Sequence, residues 1–470
     1  MSKIESSLLC VYGHFSQPPR GNPLTQVIGI EASAAPNRNW NERVLDACYR
    51  PNAQTGNFQH ITFSFGQALM NWLKRRAPDV YGTITEADRQ AIADRGAGNA
   101  LATAYNHIIL PLARKRDRRT QIQWGIAAFE HHFGRRPVGF WLPEMAVDRE
   151  TLTLLAEADI KYTVLAQQQV HGLPLHAEAG PYRVDLGKGR SIDVFVRDDR
   201  LSSDLSFNIH NLGGAGHWSH NALAPARKGI KTLLLATSGE TFGHHFAGEE
   251  QFLYWLVNHE AASVGYKIVS LDDLYAQRQA AGTVTIEDPS SWSDERGLAS
   301  WATGQVTAHG DTTWRGALRR ALDNVASELD RAYEDLVRRY NLDPWRLRGN
   351  YAPVLLGTMT FEAFLAESAP AVTGADADAL RDLLSAQELA QRMYNSYTFT
   401  ADRLDSPQPH YAIACAAAAL TMAQKATGRD MDDRLLSDFT VVTAPDSSLT
   451  GADILRAVVA EFDLDLKLAQ

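Results

Sequence analysis

The stretch HITFSFGQALMNWLKRR, residues 60–76, decides the fold class, because it passes from a short apolar strand directly into a helix. The same succession recurs in YKIVSLDDLYAQR, residues 266–278. Apolar patterning predicts further strands at 8–15, 139–144, 161–167, 191–199 and 231–240, and helices at 121–134, 151–160 and 248–263. Strands that alternate with helices favour a parallel α/β sheet or barrel.

The character of the sequence changes near residue 281. Residues 281–314 are loop-rich, and apolar residues then recur at helical spacing in 314–340, 380–397 and 410–427. We therefore predict two domains, an α/β domain over residues 1–280 and a mainly helical C-terminal domain over residues 281–470.

Composition and charge narrow the class of function. The 470 residues include 46 basic and 55 acidic ones, a net charge of −9, which argues against a nucleic-acid partner and suits a neutral substrate. No apolar run approaches the roughly 20 residues of a spanning helix, and the N-terminus lacks a signal-peptide pattern. The three cysteines are far apart in the sequence. We expect a cytoplasmic protein with no membrane partner, no cofactor and no metal, and the pattern leaves the oligomeric state open.

Polar residues collect just after the predicted strands, where parallel sheets and barrels place their chemistry. They are His14, Gln17, Glu144, Asp198, Asp199, Ser238 and Glu240. Each also has an ordinary structural interpretation on its own. Glu144 and Asp199 resemble residues that cap helices or turns, and His14 lies in a loop that closes a strand.

The segment GFWLPEMAVD, residues 139–148, gives Glu144 a second interpretation. An acidic residue at the open end of a barrel strand can attack an anomeric carbon. Glycoside hydrolysis with retention needs such a carboxylate and a second group that protonates the leaving oxygen. Trp141 adds an apolar platform on which a sugar ring can stack.

The segment LLLATSGETFGHHFAG, residues 233–248, runs from a very apolar strand into Ser238 and Glu240. Glycines at 239 and 243 permit tight backbone geometry there. His244 and His245 are adjacent rather than four residues apart, so hydrogen bonding to substrate or core is favoured over metal binding.

Taken in order, four segments resemble the motifs of glycoside hydrolase family 57. GHFSQPP (13–19) is similar to its His-Gln-Pro motif, WLPE (141–144) to its nucleophile motif, VFVRDDRLSSDLSF (194–207) to its Arg-Asp and Leu-Ser pattern, and SGETFGHH (238–245) to its acid/base motif. Three helical stretches, at 314–323, 342–351 and 383–397, resemble a bacterial subgroup of uncharacterised members. The resemblance implies an incomplete (β/α)7 barrel followed by an all-α C-terminal domain that closes the active-site cleft. It also implies retaining chemistry on α-glucans, by hydrolysis or by transfer.

The sequence departs from the family pattern at Ser238, which occupies the position of the general acid/base aspartate. A serine hydroxyl protonates a glycosidic oxygen poorly, because its pKa lies far above the working range. Three explanations stay open: an engineered Asp→Ser variant, a natural protein whose proton donor lies elsewhere, or a protein that binds glucan without cleaving it. Candidate donors in the second case are Glu240, Asp199 and Glu295.

The leading hypothesis is a retaining α-glycosidase or α-glucanotransferase in which Glu144 is the nucleophile. Other residues are predicted to bind the substrate: His14, Gln17, Trp141, Asp199, Glu240, His244, His245, Glu295, Trp301 and Trp314. One alternative is a non-catalytic α-glucan-binding protein, which the serine at 238 motivates. Another is a metal-dependent carbohydrate deacetylase, because such enzymes have a related barrel with His and Asp ligands.

Overall fold

Strands and helices alternate over most of residues 7–277, except where β-strands follow one another between residues 162 and 197, in the computed structural model, which describes residues 7–308, 310–429, 432–445 and 447–466. Its strands are β1 (Ser7–Phe15), β2 (Thr62–Phe65), β3 (Ala102–Thr103), β4 (Phe140–Trp141), β5 (Tyr162–Ala166), β6 (Val170–His171), β7 (Tyr182–Gly187), β8 (Arg190–Arg197), β9 (Thr232–Ser238), β10 (Tyr266–Ile268), β11 (Thr283–Ile286), β12 (Val306–Thr307) and β13 (Gly310–Asp311).

The α-helices are α1 (Trp40–Val44), α2 (Arg50–Gln54), α3 (Gln67–Arg76), α4 (Pro78–Arg95), α5 (Lys115–Phe133), α6 (Arg149–Glu157), α7 (Asp199–Asn208), α8 (Gly214–Trp218), α9 (Ala224–Ala226), α10 (Glu250–Trp255), α11 (Ala261–Ser263), α12 (Leu271–Gln277), α13 (Ala299–Ala302), α14 (Trp314–Arg338), α15 (Pro344–Gly349), α16 (Ala352–Leu355), α17 (Phe361–Ser368), α18 (Ala375–Arg392), α19 (Pro407–Thr427), α20 (Asp432–Thr440) and α21 (Gly451–Glu461). A π-helical turn, Leu45–Tyr49, joins α1 to α2.

Strand β1 lies at the centre of the parallel sheet and is buried along most of its length. It pairs in parallel with β9 on one side and with β2 and β10 on the other. A single bridge joins β2 to Ala100, two residues before β3, and another joins Gly139, the residue before β4, to β5. Strand β3 pairs in parallel with β4, and β5 with β8. Apart from β10, which pairs with the first residues of β1, the strands β1 to β5, β8 and β9 have their carboxyl ends along one edge, which is where α/β folds place their sites.

The barrel is incomplete between β8 and β9, which form no continuous ladder. Ala179 bridges them instead, because its N–H donates to the carbonyl of Thr232 and its carbonyl accepts from Val196. Nearer the carboxyl edge, the N–H of Asp198 donates directly to the carbonyl of Leu234 at 2.9 Å. On this same side of β8, opposite β5, an antiparallel pairing with β7 continues the sheet to β11 and β6.

The interior of the barrel explains why the strands read as apolar runs. Residues of β1, β5, β8 and β9 form one buried cluster with Trp141 and the first turn of α12. Strands covered on both faces need apolar side chains at consecutive positions. The predicted α/β fold with a helical C-terminal region is confirmed.

Within the described residues, contacts divide the chain into two units. The first comprises the described residues of Met1–Gln17, Ile30–Ala104 and Phe129–Glu295, and the second those of Pro18–Gly29, Tyr105–Ala128 and Arg296–Gln470. This division is discontinuous along the chain, whereas the sequence suggested one boundary near residue 280, and the assignment of domains 1–280 and 281–470 stays a prediction.

The second unit consists mainly of helices, among which α14, α18 and α19 are the longest. Helix α19 presents a run of alanines, and its residues 411–420 are all buried, which lets neighbouring helices approach closely. The guanidinium of Arg348 is fully buried in this unit and donates to Asp117 at 2.6 Å and to Gln387 at 2.8 Å. Such pairing is required, because a buried charge without partners is strongly destabilising.

Candidate active site

The carboxyl edge of the first unit brings together side chains that are distant in sequence. His14 and Ser238 are directly paired residues of β1 and β9. The imidazole of His14 stacks on the indole of Trp141 at the end of β4, with ring centroids 5.5 Å apart. Three of the predicted site residues therefore share one edge, as the strand-end argument requires.

The rings of Tyr12, His14 and Trp141 stack at this edge, and the hydroxyl of Ser64 fixes two of them. Tyr12 and His14 both contact the hydroxyl of Ser64 on β2, at 2.5 Å from the Tyr12 hydroxyl and 2.7 Å from His14 Nδ1. Trp141 stacks on Tyr12 at 4.5 Å as well as on His14. In the described part of the chain its indole N–H is buried without a hydrogen-bond partner. Because a buried, unsatisfied donor is costly, this N–H is a candidate contact for a ligand.

Glu144 has a left-handed backbone, with φ 58° and ψ 19°. Conformations of this kind in a residue other than glycine cost about 1–3 kcal/mol and cluster at functional sites. The carboxyl is half-buried and accepts a long hydrogen bond of 3.4 Å from the indole N–H of Trp292. Burial raises the pKa of Glu144, and the Trp292 hydrogen bond opposes that rise. The neighbouring Asp148, not Glu144, caps helix α6 through the N–H of Thr151.

Trp292 connects Glu144 to the end of β8 and was not identified from the sequence. The guanidinium of Arg197 lies over its ring, 4.9 Å from the centroid, a cation–π contact. Arg197, at the end of β8, is buried and donates to Asp199 at 2.8 Å and to the carbonyl of Ala236 at 3.2 Å. Trp292 and Arg197 therefore connect Glu144 to Ala236 of β9, which lies two residues before Ser238. The Arg-Asp pattern at 197–198 signalled this arginine, but nothing local signalled Trp292.

Glu240 is the most enclosed carboxyl group at this edge, with an exposed fraction of only 5%. Its Oε1 accepts from the N–H of Ser16 and the hydroxyl of Tyr49, both at 2.8 Å. Its Oε2 lies 3.0 Å from the hydroxyl of Ser238. Burial raises the pKa of Glu240 to about 7, against the opposing effect of these donors. The group therefore changes its protonation state in the neutral range.

This raised pKa predicts that stability falls as pH rises. The unfolded carboxyl titrates near its ordinary value of about 4.3, so between pH 4 and 7 the folded state binds more protons, and ionisation of Glu240 lowers the free energy of unfolding by about 3 kcal/mol. We expect Glu240→Gln to remove this contribution, so that the free energy of unfolding of wild type falls by about 2–3 kcal/mol more than that of the variant between pH 5 and pH 8. Urea unfolding at pH 5 and pH 8 measures this difference in the free energy of unfolding, with Glu130→Gln, at an exposed position, as the control. An identical pH dependence in Glu240→Gln and wild type would contradict the assignment.

The remaining predicted site residues lie in several environments. Gln17 is buried and donates to the hydroxyl of Tyr49 at 3.0 Å, which places it behind Glu240. The backbone N–H groups of His244 and His245 donate to the carbonyl of Glu240, and the ring of His244 lies 5.9 Å from Trp40. Glu295 is exposed. Trp301 and Trp314 belong to the second unit, where both are buried and their indole N–H groups lack partners among the described residues.

The part of the chain that the structure describes contains no set of side chains arranged to bind a metal ion. There, no group of three or more His, Cys, Asp or Glu side chains is close enough to hold a metal ion. The deacetylase alternative therefore stays a prediction without a ligand set among these residues. Among the same residues, no helix combines the length and the apolar character needed to cross a membrane.

Most of the chain matches known protein families. Residues 34–287 match the profile of glycosyl hydrolase family 57, and residues 310–468 match a domain of unknown function, DUF3536. A 1,4-alpha-glucan branching enzyme of Thermococcus kodakarensis is 39% identical over 69 residues, which are 14% of this chain and 10% of that protein. Alpha-amylase 1 of Dictyoglomus thermophilum is 26% identical over 141 residues, 29% of this chain and 20% of that protein. The matched stretches thus span a fifth or less of these curated relatives.

Two solved structures share the fold over most of the chain. An exo-type maltose-forming amylase from Pyrococcus sp. ST04 superposes with a TM-score of 0.73 at 14% identity, covering 92% of this chain and 82% of that one. A branching enzyme from Pyrococcus horikoshii superposes with a TM-score of 0.58 at 15% identity, covering 98% and 95%. At these identities the likeness concerns the fold alone.

Proposed function

Because this chain belongs to glycosyl hydrolase family 57, we propose that it is a retaining glycoside hydrolase or transglycosidase that acts on α-linked glucans by double displacement. The observation that supports the proposal is Glu144, a half-buried carboxyl on a left-handed backbone at the strand edge where His14, Trp141 and Ser238 meet. Relatives named as an amylase and as a branching enzyme share parts of the sequence.

The proposed reaction has two steps. In the first step a carboxylate oxygen of Glu144 bonds to the anomeric carbon, the glycosidic C–O bond breaks, and the leaving oxygen takes a proton from the side of Ser238. In the second step water or the hydroxyl of an acceptor sugar attacks the same carbon, gives up a proton, and releases Glu144. Two inversions restore the α configuration. Water gives hydrolysis and a sugar acceptor gives transfer.

The aromatic residues at the edge supply the sugar-binding surface in this proposal. Trp141 is anchored by its stacking on Tyr12 and His14, and its N–H is unused in the described structure. The Trp141 ring itself is buried in this stack, so the half-buried rings of His14 and Trp292 are the aromatic surfaces that a sugar can reach, and a platform role for Trp141 stays a prediction. Roles for Gln17, His244, His245, Glu295, Trp301 and Trp314 in substrate binding stay predictions.

The proposal is tested by trapping the covalent intermediate. We expect brief incubation with α-maltosyl fluoride, followed by acid quenching, to add one maltosyl group to the peptide that contains Glu144, because fluoride leaves without a proton. Mass spectrometry of the intact chain and of its peptides measures the adduct. An adduct on another carboxylate would contradict the assignment of Glu144.

The same experiment separates the enzyme from a non-catalytic α-glucan-binding protein, the alternative that Ser238 favours. Binding of maltooligosaccharides with neither adduct nor products would support the binding protein. The cytoplasmic location and the membership of a bacterial subgroup stay predictions, as does the explanation of Ser238 as an engineered or a natural departure.

A further inference from the structure

Ser238 and Glu240 form a pair that reaches from the open edge into the interior. The Ser238 hydroxyl is half-buried at the end of β9, directly opposite His14 on β1. The Glu240 carboxyl lies behind it, buried, with 3.0 Å between Ser238 Oγ and Glu240 Oε2. Only the hydroxyl end of the pair is placed to contact a ligand at this edge.

The two oxygens of Glu240 have different roles, which fixes where a proton binds. Oε1 accepts two hydrogen bonds, from the Ser16 N–H and from Tyr49. Tyr49 is itself held as a donor to Glu240, because its oxygen accepts from Gln17. Burial and the neighbouring Glu240 also raise the pKa of Tyr49 well above its ordinary value, so it keeps its proton. With Oε1 occupied as an acceptor, Oε2 is the atom that carries a proton, and that atom faces Ser238.

We propose that Glu240 supplies and recovers the proton of the reaction through the hydroxyl of Ser238, a relay that stands in for the missing aspartate. The inference rests on the proposed function and deepens it. In the first step Glu240 Oε2–H gives its proton to Ser238 Oγ while the Ser238 hydroxyl gives its own to the leaving glycosidic oxygen. In the second step the proton of the attacking water or sugar hydroxyl passes to Ser238 Oγ, and the hydrogen of that hydroxyl returns to Glu240.

The relay needs Glu240 to be protonated at the start and ionised in between, both near neutral pH. Burial raises its pKa to about 7, which meets this need. The other titratable groups around it are Tyr49, the thiol of Cys48 beside the carbonyl of Gly239, and the two histidines whose N–H groups bind its carbonyl. His14 faces Ser238 from β1. None of these is an acidic group that could replace Glu240.

Glu240→Gln tests the relay, because glutamine keeps the hydrogen bonds but cannot transfer a proton. We expect turnover of maltooligosaccharides to fall by about 10²-fold or more. Formation of the adduct from α-maltosyl fluoride should stay within a few-fold of wild type, since fluoride needs no proton. The relay predicts that wild-type activity falls above pH 7, where Glu240 ionises, and this fall should be absent from the residual activity of the variant. If Glu240 had a purely structural role, the variant would react more slowly with both maltooligosaccharides and α-maltosyl fluoride, and its pH profile would match that of wild type.

Two variants of Ser238 complete the test. Ser238 is half-buried, and Ser238→Ala should act as Glu240→Gln does. It should slow the turnover of maltooligosaccharides strongly while leaving adduct formation from α-maltosyl fluoride nearly unchanged. Ser238→Asp, made in the Glu240→Gln background, should restore oligosaccharide turnover, because aspartate at 238 donates directly.

Two outcomes are distinguished. If wild type forms the adduct on Glu144 but Glu240→Gln or Ser238→Ala cleaves oligosaccharides at the wild-type rate, the relay is overturned and the proposed function stands. If wild type forms no adduct and no products, the proposed function itself fails.

Discussion

Replacing Glu144 by glutamine should reduce the turnover of maltooligosaccharides by at least about 10³-fold, because the covalent route loses its nucleophile. Glutamine has the same shape as glutamate, but its amide cannot attack the anomeric carbon. The same variant should form no adduct with α-maltosyl fluoride. Reducing-sugar release and mass spectrometry measure the two losses, with Glu130→Gln as the control for an exposed glutamate.

The loss should be chemical rather than structural. Glu144 makes one described hydrogen bond, a long one from Trp292, so glutamine should change the free energy of unfolding by less than about 1 kcal/mol. A Glu144→Gln variant that unfolds, or that keeps wild-type turnover, would contradict the assignment.

Rescue by azide makes the prediction for Glu144 stereochemically explicit. Glu144→Gly removes the side chain and suits the left-handed backbone, since glycine adopts a φ of 58° without strain. Azide can then enter the space of the carboxylate and attack α-maltosyl fluoride from that face. One inversion gives β-maltosyl azide, which NMR identifies. Formation of the α-azide would place the nucleophile elsewhere.

The residues at the carboxyl edge of the sheet were predictable from the sequence, because the ends of its strands were predictable. An apolar run that stops at a polar residue places that residue at the carboxyl edge, and parallel pairing then aligns such residues across strands. His14 and Ser238 illustrate this, since they are opposite each other although 224 positions separate them. The left-handed backbone of Glu144 was not predictable, because it depends on how the loop after β4 packs.

The partners of the carboxyl groups were also beyond the sequence. Trp292 donates to Glu144 from a loop 148 positions away, and Tyr49 reaches Glu240 from a π-helical turn 191 positions away. The sequence drew attention instead to Trp301 and Trp314, because they lie in the same loop-rich region as Trp292. Both are buried in the second unit. Composition marks a region as rich in tryptophan, but burial decides which indole is exposed to a ligand.

The loop that carries Glu240 depends on a glycine whose replacement should be severe. Gly243 has φ +127°, and a Cβ there would lie 2.2 Å from the carbonyl oxygen of Ala47. That close approach is held by Asn52, whose side-chain amide donates both to the carbonyl of Phe242 at 2.7 Å and to that of Cys48 at 2.8 Å. The helical turn on the other side is the one that carries Tyr49, so this contact also positions the donor to Glu240.

Gly243→Ala should therefore lower the free energy of unfolding by at least about 3 kcal/mol, the sum of backbone strain and overpacking. Gly248 provides a matched control in the same loop, because its φ is +84° but a Cβ there would meet nothing within 4 Å. Gly248→Ala should cost only about 1 kcal/mol, from the backbone conformation alone. Urea unfolding of the two variants at pH 7 measures the difference. Equal losses would show that the contact with Ala47 relaxes freely, and that Tyr49 does not depend on it for its position beside Glu240.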